Sequence, residues 1–111
     1  MDRREIYAQI VEKLILDYAK IKPSYGDVDR EVILDENRRH FELLNIGWEG
    51  KKRIHYTVFH IDIKEDGRVW LQHNATEVGI AEELIEMGIP RDQIVLGFVL
   101  PQSRKLTKYG H

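Results

Sequence analysis

The sequence predicts an α+β fold: a mainly antiparallel sheet of about five strands, an N-terminal amphipathic helix, and a second helix before the last strand. Three observations lead to this fold class. Apolar residues recur at helical spacing from Asp2 to Lys20. Two alternating segments within residues 60–73 flank a turn that contains Gly67. A short helical pattern that ends at Gly88 then precedes the apolar run Ile94–Phe98.

The first helix is predicted over Asp2–Lys20. Asp2 with Glu5 three residues later resembles a capping box in which Asp takes the place of Ser or Thr. Pro23 ends the helix, because it lacks an N–H and restricts the residue before it. Such a wide apolar stripe predicts that the helix covers a sheet.

A connector and two strands are predicted next. Lys22–Asp29 is rich in turn residues, Glu31–Leu34 is typical of a short strand, and His40–Trp48 is typical of a longer one. The longer strand places Phe41 and Leu43 on one face and a second apolar set on the other, namely Leu44, Ile46 and Trp48. This pattern indicates an internal strand that is partly covered on both faces.

The third strand is predicted over Arg53–Lys64, after a turn at residues 49–51. Its apolar residues occupy even positions up to Val58 and odd positions from Phe59 onward. Because side chains alternate along a strand, this flip requires a β-bulge near Val58 and Phe59 or burial on both faces.

The following hairpin has a predictable register. If Gly67 takes the left-handed position of a three-residue loop, the facing pairs are Ile63 with Val69, Ile61 with Leu71, and Phe59 with His73. A two-residue turn would instead place Ile61 opposite Gln72 and waste the apolar pattern, so we favour the longer loop.

The second helix is predicted over Val78–Met87, with Asn74 or Thr76 as its N-cap and Gly88 at its C-terminal end. The strand Ile94–Phe98 is apolar enough to predict an internal position. The tail from residue 101 onward is predicted to be exposed and mobile unless a partner or the rest of the chain holds it.

The amino-acid composition excludes several classes of protein. The 111 residues are 42% hydrophobic and 32% charged, with a net charge of −2 and no cysteine. These values predict one domain, residues 1–111, and exclude a disulfide scaffold, a cysteine-zinc site and a thiol nucleophile. A near-neutral charge gives no general attraction to nucleic acid. A charged N-terminus and the lack of a long apolar run predict a cytoplasmic protein with no membrane partner.

One cluster has the chemistry of a metal site, and it comprises His60, Asp62, His73 and Glu77. In the favoured register His60 and Asp62 point away from His73, so ordinary structural roles are favoured over a small metal-dependent enzyme. Neither a phosphate-binding glycine motif nor a nucleophile elbow occurs in the sequence. The sequence therefore predicts no catalytic residue, no metal and no cofactor.

Two residue sets are candidates for intermolecular contact. Direct DNA binding would require one surface to gather seven basic residues, namely Lys51, Lys52, Arg53, Arg91, Arg104, Lys105 and Lys108. Three aromatic residues, Trp48, Tyr56 and Trp70, are possible interface residues, and the surplus of apolar surface predicts a homodimer. For Trp70, an internal position beneath a curled sheet is an equal alternative.

Several segments carry a resemblance to a known family. These are PSYGD at 23–27, VWLQHNATEVGIAEELIEMGIPRDQIVLGF at 69–98, and Pro101 with Arg104. Together they resemble the XisI family, described as controlling factors for excision of the fdxN element. The likeness extends over nearly the whole chain, and the long second segment is its most specific part. The final residues 109–111 depart from the more apolar ending of the family.

The resemblance implies an α+β protein of a cyanobacterium that supports site-specific excision of a DNA element during heterocyst differentiation. It implies a protein partner, XisH, with the strand chemistry performed by a separate recombinase. It carries over no catalytic residue. The function expected is therefore a non-enzymatic accessory factor that acts through protein contacts, with DNA contacted indirectly; the alternative is an accessory protein that binds DNA directly.

Overall fold

The computed structural model describes residues 2–111 and contains two α-helices, five strands and two short 3₁₀ helices. The α-helices are α1 (Arg3–Ala19) and α2 (Ile80–Glu86). The strands are β1 (Asp27–Leu34), β2 (His40–Glu49), β3 (Lys52–Ile63), β4 (Val69–Asn74) and β5 (Ile94–Leu96). The 3₁₀ helices are Arg91–Gln93 and Pro101–Leu106.

The five strands form one sheet in the order β1-β2-β3-β4-β5. The first four strands are antiparallel meander partners, and β5 pairs parallel with β4 after a crossover through α2. The predicted α+β fold class is confirmed.

The first helix begins and packs as its sequence predicts. Asp2 is the N-cap, and its side chain accepts a hydrogen bond from the Glu5 N–H at 3.0 Å. The apolar stripe is buried against the sheet through Tyr7, Ala8, Val11, Leu14 and Ile15. Because α2 contributes to the same core, both helices cover one face of the sheet, here called the helix face. The opposite face is the open face.

A β-bulge explains the flip of apolar positions in β3. Leu43 pairs with Phe59, but Leu44 pairs with Thr57, so Val58 is an extra residue in β3. Val58 and Phe59 are consecutive in sequence and both are buried. The bulge alternative is therefore confirmed.

The β3–β4 hairpin agrees with the predicted register over its first part. Gly67 has φ of +89°, and Ile63 pairs with Val69 and Ile61 with Leu71. A second register shift then makes Gln72 an extra residue of β4, so His73 faces His60. The predicted pairing of Phe59 with His73 is wrong for this reason.

The second helix is shorter than predicted. Gly79 is its N-cap, so neither Asn74 nor Thr76 caps it, and the predicted start at Val78 is wrong. The Asn74 carboxamide oxygen instead accepts from the Thr76 N–H at 2.9 Å, which stabilises a local turn. At the other end Gly88 has φ of +118°, as a left-handed C-terminal position requires.

The two edges of the sheet differ. At one end β5 is an edge strand, not an internal one, and Gly110 bridges Val95 on its outer side. At the other end β1 begins at Asp27, four residues before the predicted Glu31, because part of the expected connector pairs with β2. Among residues 2–111, β2 is the sole strand neighbour of β1.

The chain itself holds its C-terminal tail. Arg104 donates to the carbonyl oxygens of Leu96 and Gly97, and its guanidinium lies 4.8 Å from the centre of the Trp70 ring. Hydrogen bonds from Lys108, Arg91 and Tyr109 lower the pKa of Glu82 to about 2. The predicted exposed tail is thus an ordered part of the fold.

Within residues 2–111 no helix combines the length and the apolar character needed to cross a membrane.

Candidate functional site

A buried carboxylate lies at the centre of a polar cluster on the open face. Asp62 is 5% exposed, and its Oδ1 accepts hydrogen bonds from His40 Nδ1 and His60 Nε2, both at 2.8 Å. Its Oδ2 accepts from Gln72 Nε2 at 3.1 Å. Both carboxylate oxygens are therefore satisfied by side chains of β2, β3 and β4.

Strand register assembles this cluster. His40 pairs with Asp62 across β2 and β3, and Trp70 pairs with Asp62 on the other side. Burial raises the pKa of Asp62, but the hydrogen bonds from His40, His60 and Gln72 outweigh burial and hold it below its ordinary value of 3.8. The carboxylate therefore stays ionised as an acceptor for its neighbours.

The structure brings together only part of the predicted metal cluster. His60 contacts Asp62, and His73 faces His60 across the strands, but neither His73 nor Glu77 is among the hydrogen-bond partners of Asp62. Residues 2–111 contain no group of three His, Cys, Asp or Glu side chains placed to bind a metal ion. Sequence reasoning missed His40 and Gln72. Counting back from the turn after Glu49, with one bulged residue in β3, would have placed His40 opposite Asp62.

The Asp62 cluster predicts an acid-sensitive contribution to stability. Since its folded pKa is lowered, Asp62 stabilises the fold above its unfolded pKa and loses this effect as pH falls through the folded value. We expect Asp62→Asn to cost about 2 kcal/mol at neutral pH. The difference from the parent should shrink as pH falls below about 4, the ordinary pKa of an unfolded Asp, measured by urea unfolding. A difference that stays constant below this pH would contradict the assignment.

An apolar strip lies on the open face of the sheet, on the strands β1 and β2. It consists of Ile33, Leu44, Ile46 and Trp48, which share this face by strand register. Ile33 is 45% exposed and Trp48 is 50% exposed. The guanidinium of Arg53 lies 5.3 Å from the Trp48 ring centre. We call these four residues the apolar strip.

The three possible interface aromatics do not share one surface. Trp48 is in the apolar strip, whereas Tyr56 pairs with Asn45 on the helix face. Trp70 is on the open face but half-buried, with Arg104 over its ring and Lys64 5.6 Å from its centre. Of the three, Trp48 alone stands in an exposed apolar surface of the open face.

A cleft of about 440 Å³ with a mixed polar and apolar lining lies beside Tyr56 on the helix face. Buried Asn45 donates to the Tyr56 hydroxyl and accepts from Arg30, and the Tyr25 and Tyr56 hydroxyls are 2.9 Å apart. Pro23, Ser24 and Tyr25 of the PSYGD segment line this cleft together with Ala75 and Thr76, so two of the segments that carry the family resemblance meet there. Every side chain of this network already has a partner within the chain.

The seven basic residues lie at different ends of the molecule. Three of them, Lys51, Lys52 and Arg53, are at the β2–β3 turn, whereas Arg104 stacks on Trp70 next to Asp62. Arg53 and Asp62 are nine positions apart on one strand, a span of about 30 Å. Arg91 and Lys108 both pair with Glu82. Within residues 2–111 these seven side chains do not gather on the single surface that direct DNA binding would require.

Comparison with known proteins gives a consistent result. The family model described as XisI protein matches residues 1–111. A XisI-like protein from Anabaena variabilis ATCC 29413, known from a crystal structure, is 46% identical in sequence to this chain. The superposition covers 94% of each chain and has a TM-score of 0.86. A crystal structure of fdxN element excision controlling factor XisI from the same organism is 31% identical, covers 98% of each chain and has a TM-score of 0.81. No protein with a curated description matches significantly. The chain therefore belongs to the XisI family.

Proposed function

We propose that this protein is a non-enzymatic accessory factor that controls excision of a DNA element, the fdxN element or a counterpart, during heterocyst differentiation, and that it acts in the cytoplasm by binding an XisH-like protein. The observation that carries the proposal is the full-length similarity to a protein described as an fdxN element excision controlling factor.

The apolar strip is the proposed contact surface. Exposed aromatic and aliphatic side chains that share a sheet face are typical of protein interfaces, and Trp is a favoured anchor. Arg53 beside Trp48 adds a residue type that is enriched in such interfaces. We propose that this strip receives the XisH-like protein and that, in its absence, it joins two copies of the chain as a dimer.

Coexpression tests the partnership. We expect an affinity-tagged copy of this chain to retain the XisH protein of the same genome during purification. Trp48→Ala should reduce the retained amount at least about tenfold, as expected for an anchor residue. Phe98→Ala is the matched control, because it truncates an exposed aromatic residue that lies outside the apolar strip. Failure of the parent chain to retain XisH would contradict the partnership.

Light scattering at micromolar concentration tests the dimer separately. We expect the mass of two chains for the parent and of one chain for Trp48→Glu, with unchanged far-ultraviolet circular dichroism. A monomer mass for the parent would refute the dimer without bearing on XisH.

Direct DNA binding is the alternative, and salt dependence tests it. Phosphate contacts release counterions, so binding to duplex DNA must weaken steeply as salt rises. Because the basic residues occupy separate ends of the molecule, we expect no duplex binding at about 0.15 M salt. Tight, salt-sensitive binding would favour the alternative.

A further inference from the structure

The β1 edge of the sheet is open, and its free backbone groups can be assigned. The Asp35 N–H donates to the His40 carbonyl, and Ile63 donates to the Arg39 carbonyl on the other side of β2. Because the β1–β2 register is unbroken and hydrogen bonding alternates, Asp27, Asp29, Glu31 and Ile33 direct their backbone groups toward β2. The alternate residues direct their N–H and C=O groups outward. Val28 is fully buried, so the accessible outward groups belong to Arg30, Val32 and Leu34.

The two faces of the β1 edge differ in chemistry. The open-face side chains Asp27, Asp29 and Glu31 form an acidic stripe, and all three are exposed. Asp29 also forms an exposed ion pair of 3.6 Å with Lys22, which a basic side chain of the added strand would replace or share. On the helix face, Val32 and Leu34 are half-buried next to the core.

Helix α1 adds a wall beside this edge. Glu12 of α1 forms an ion pair with Arg38 of the β1–β2 turn, with 3.3 Å between Arg38 Nε and Glu12 Oε2. This side of α1 therefore faces β1. Leu16, one helical turn later, is 43% exposed on the same side. Arg30 also donates to the Tyr18 carbonyl at 2.9 Å, so the end of α1 lies against β1. An edge strand beside a helix is the geometry in which extended peptides are captured as an added strand.

We propose that the β1 edge binds an extended segment of another protein, in which basic residues alternate with apolar ones. The added strand would pair with the outward groups of Arg30, Val32 and Leu34. Its basic side chains would lie opposite Asp29 and Glu31, and its apolar side chains would cover Leu16, Val32 and Leu34. Since the facing pairs at Asp29 and Glu31 are the close, non-hydrogen-bonded type, opposite charge there favours binding. This inference does not depend on the proposed role in excision.

A second copy of this chain fits the β1 edge poorly. Two copies that pair antiparallel along β1 are related by a two-fold axis perpendicular to the sheet, so the open faces of both copies lie on the same side. Odd-numbered residues of β1 in one copy therefore face odd-numbered residues in the other, and even-numbered residues face even-numbered ones. One register with seven-residue overlap places Asp29 opposite Glu31 and Arg30 opposite Arg30. The other places Glu31 opposite Glu31. Facing like charges are destabilising, so the acidic stripe selects a basic strand and disfavours its own kind.

The test uses labelled peptides and a proline variant of the full chain. The probe is an eight-residue peptide of alternating Lys and Val, with a peptide of alternating Glu and Val as its counterpart, and binding is followed by fluorescence anisotropy at fixed salt. Val32→Pro removes an outward N–H without touching the β1–β2 hydrogen bonds. Val32→Ala is the matched control, because it shortens the same side chain and keeps the N–H.

We expect the parent and Val32→Ala to bind the Lys-Val peptide, and Val32→Pro to lose this binding while it remains folded by circular dichroism. Asp29→Lys together with Glu31→Lys should weaken binding at least about tenfold. Equal binding of the Glu-Val peptide, or unchanged binding by Val32→Pro, would overturn the proposal. Absence of binding by the parent would also overturn it. A dimer that Val32→Pro dissociates would show that a second copy occupies the edge and would overturn the choice of occupant.

Discussion

Replacing Gly47 with alanine is expected to remove about 3 kcal/mol or more of the free energy of unfolding. Gly47 lies in β2 between Val28 of β1 and Ile54 of β3, and both neighbours are buried. An added Cβ would overlap the carbonyl oxygen of Asp27 and lie 2.7 Å from the Cα of Val28. Since both obstacles are backbone atoms of the adjacent strand, relief requires β1 to separate from β2.

Urea unfolding of Gly47→Ala is compared with that of Gly50→Ala. Gly47 has φ of +159°, so both variants place alanine at a positive φ, and only Gly47→Ala adds the close approach to β1. Gly50 has φ of +61° in the β2–β3 turn, and an added Cβ there has open space around it. The control therefore carries the cost of a left-handed alanine alone, about 1 kcal/mol. Equal losses for the two variants would show that conformation rather than contact with β1 explains the role of Gly47.

Phe59→Ala is expected to have a comparable effect, about 3–5 kcal/mol, because it empties the centre of the core. Phe59 is fully buried at the β3 bulge, and its ring meets that of Tyr18 edge to face at 5.7 Å. Tyr18 in turn donates to Glu83 of α2 at 2.6 Å, so Phe59 supports the contact that joins the two helices. Its loss removes apolar burial and loosens this contact.

The measurement for Phe59→Ala is again the free energy of unfolding, with Phe98→Ala as control. Phe98 is 57% exposed, so the same truncation there should cost less than about 1 kcal/mol. Burial and the Glu83 hydrogen bond raise the pKa of Tyr18 to about 12 in the parent. We also expect Phe59→Ala to lower this pKa, followed by the ultraviolet absorbance of tyrosinate. Unchanged titration together with a small stability loss would contradict the central position of Phe59.

Strand patterns in the sequence predicted one of the candidate surfaces and missed a feature of another. The apolar alternation of β2 correctly separates Phe41 and Leu43 from Leu44, Ile46 and Trp48, and that separation defines the apolar strip. The second bulge, at Gln72, was not predictable, because the residues that follow Leu71 in β4 are polar and show no flip of apolar positions. That one residue brings His73 opposite His60.

Helix caps and strand positions were ambiguous in the sequence where several residues suit the same structural role. Asn74 and Thr76 are both good helix caps, yet both are used in a turn, and Gly79 caps α2 instead. The apolar run Ile94–Phe98 suggested an internal strand, whereas β5 is an edge strand that the chain's own tail covers through Gly110. A sequence pattern records that a residue is buried and does not record which segment buries it.

The sequence by itself determined the parts of this protein that depend on neighbours in the chain. These are the α1 stripe and its Asp2 cap, the Gly67 hairpin and the family resemblance. The flip of apolar positions in β3 left a bulge and burial on both faces open, and the strand pairing decided for the bulge. Only the tertiary structure decided which distant groups meet: the two histidines on Asp62, Arg104 on Trp70, and a covered β5 edge opposite an open β1 edge. Periodicity and capping act over a few residues, whereas pairing between strands and docking of a tail are fixed by the packing of the whole chain.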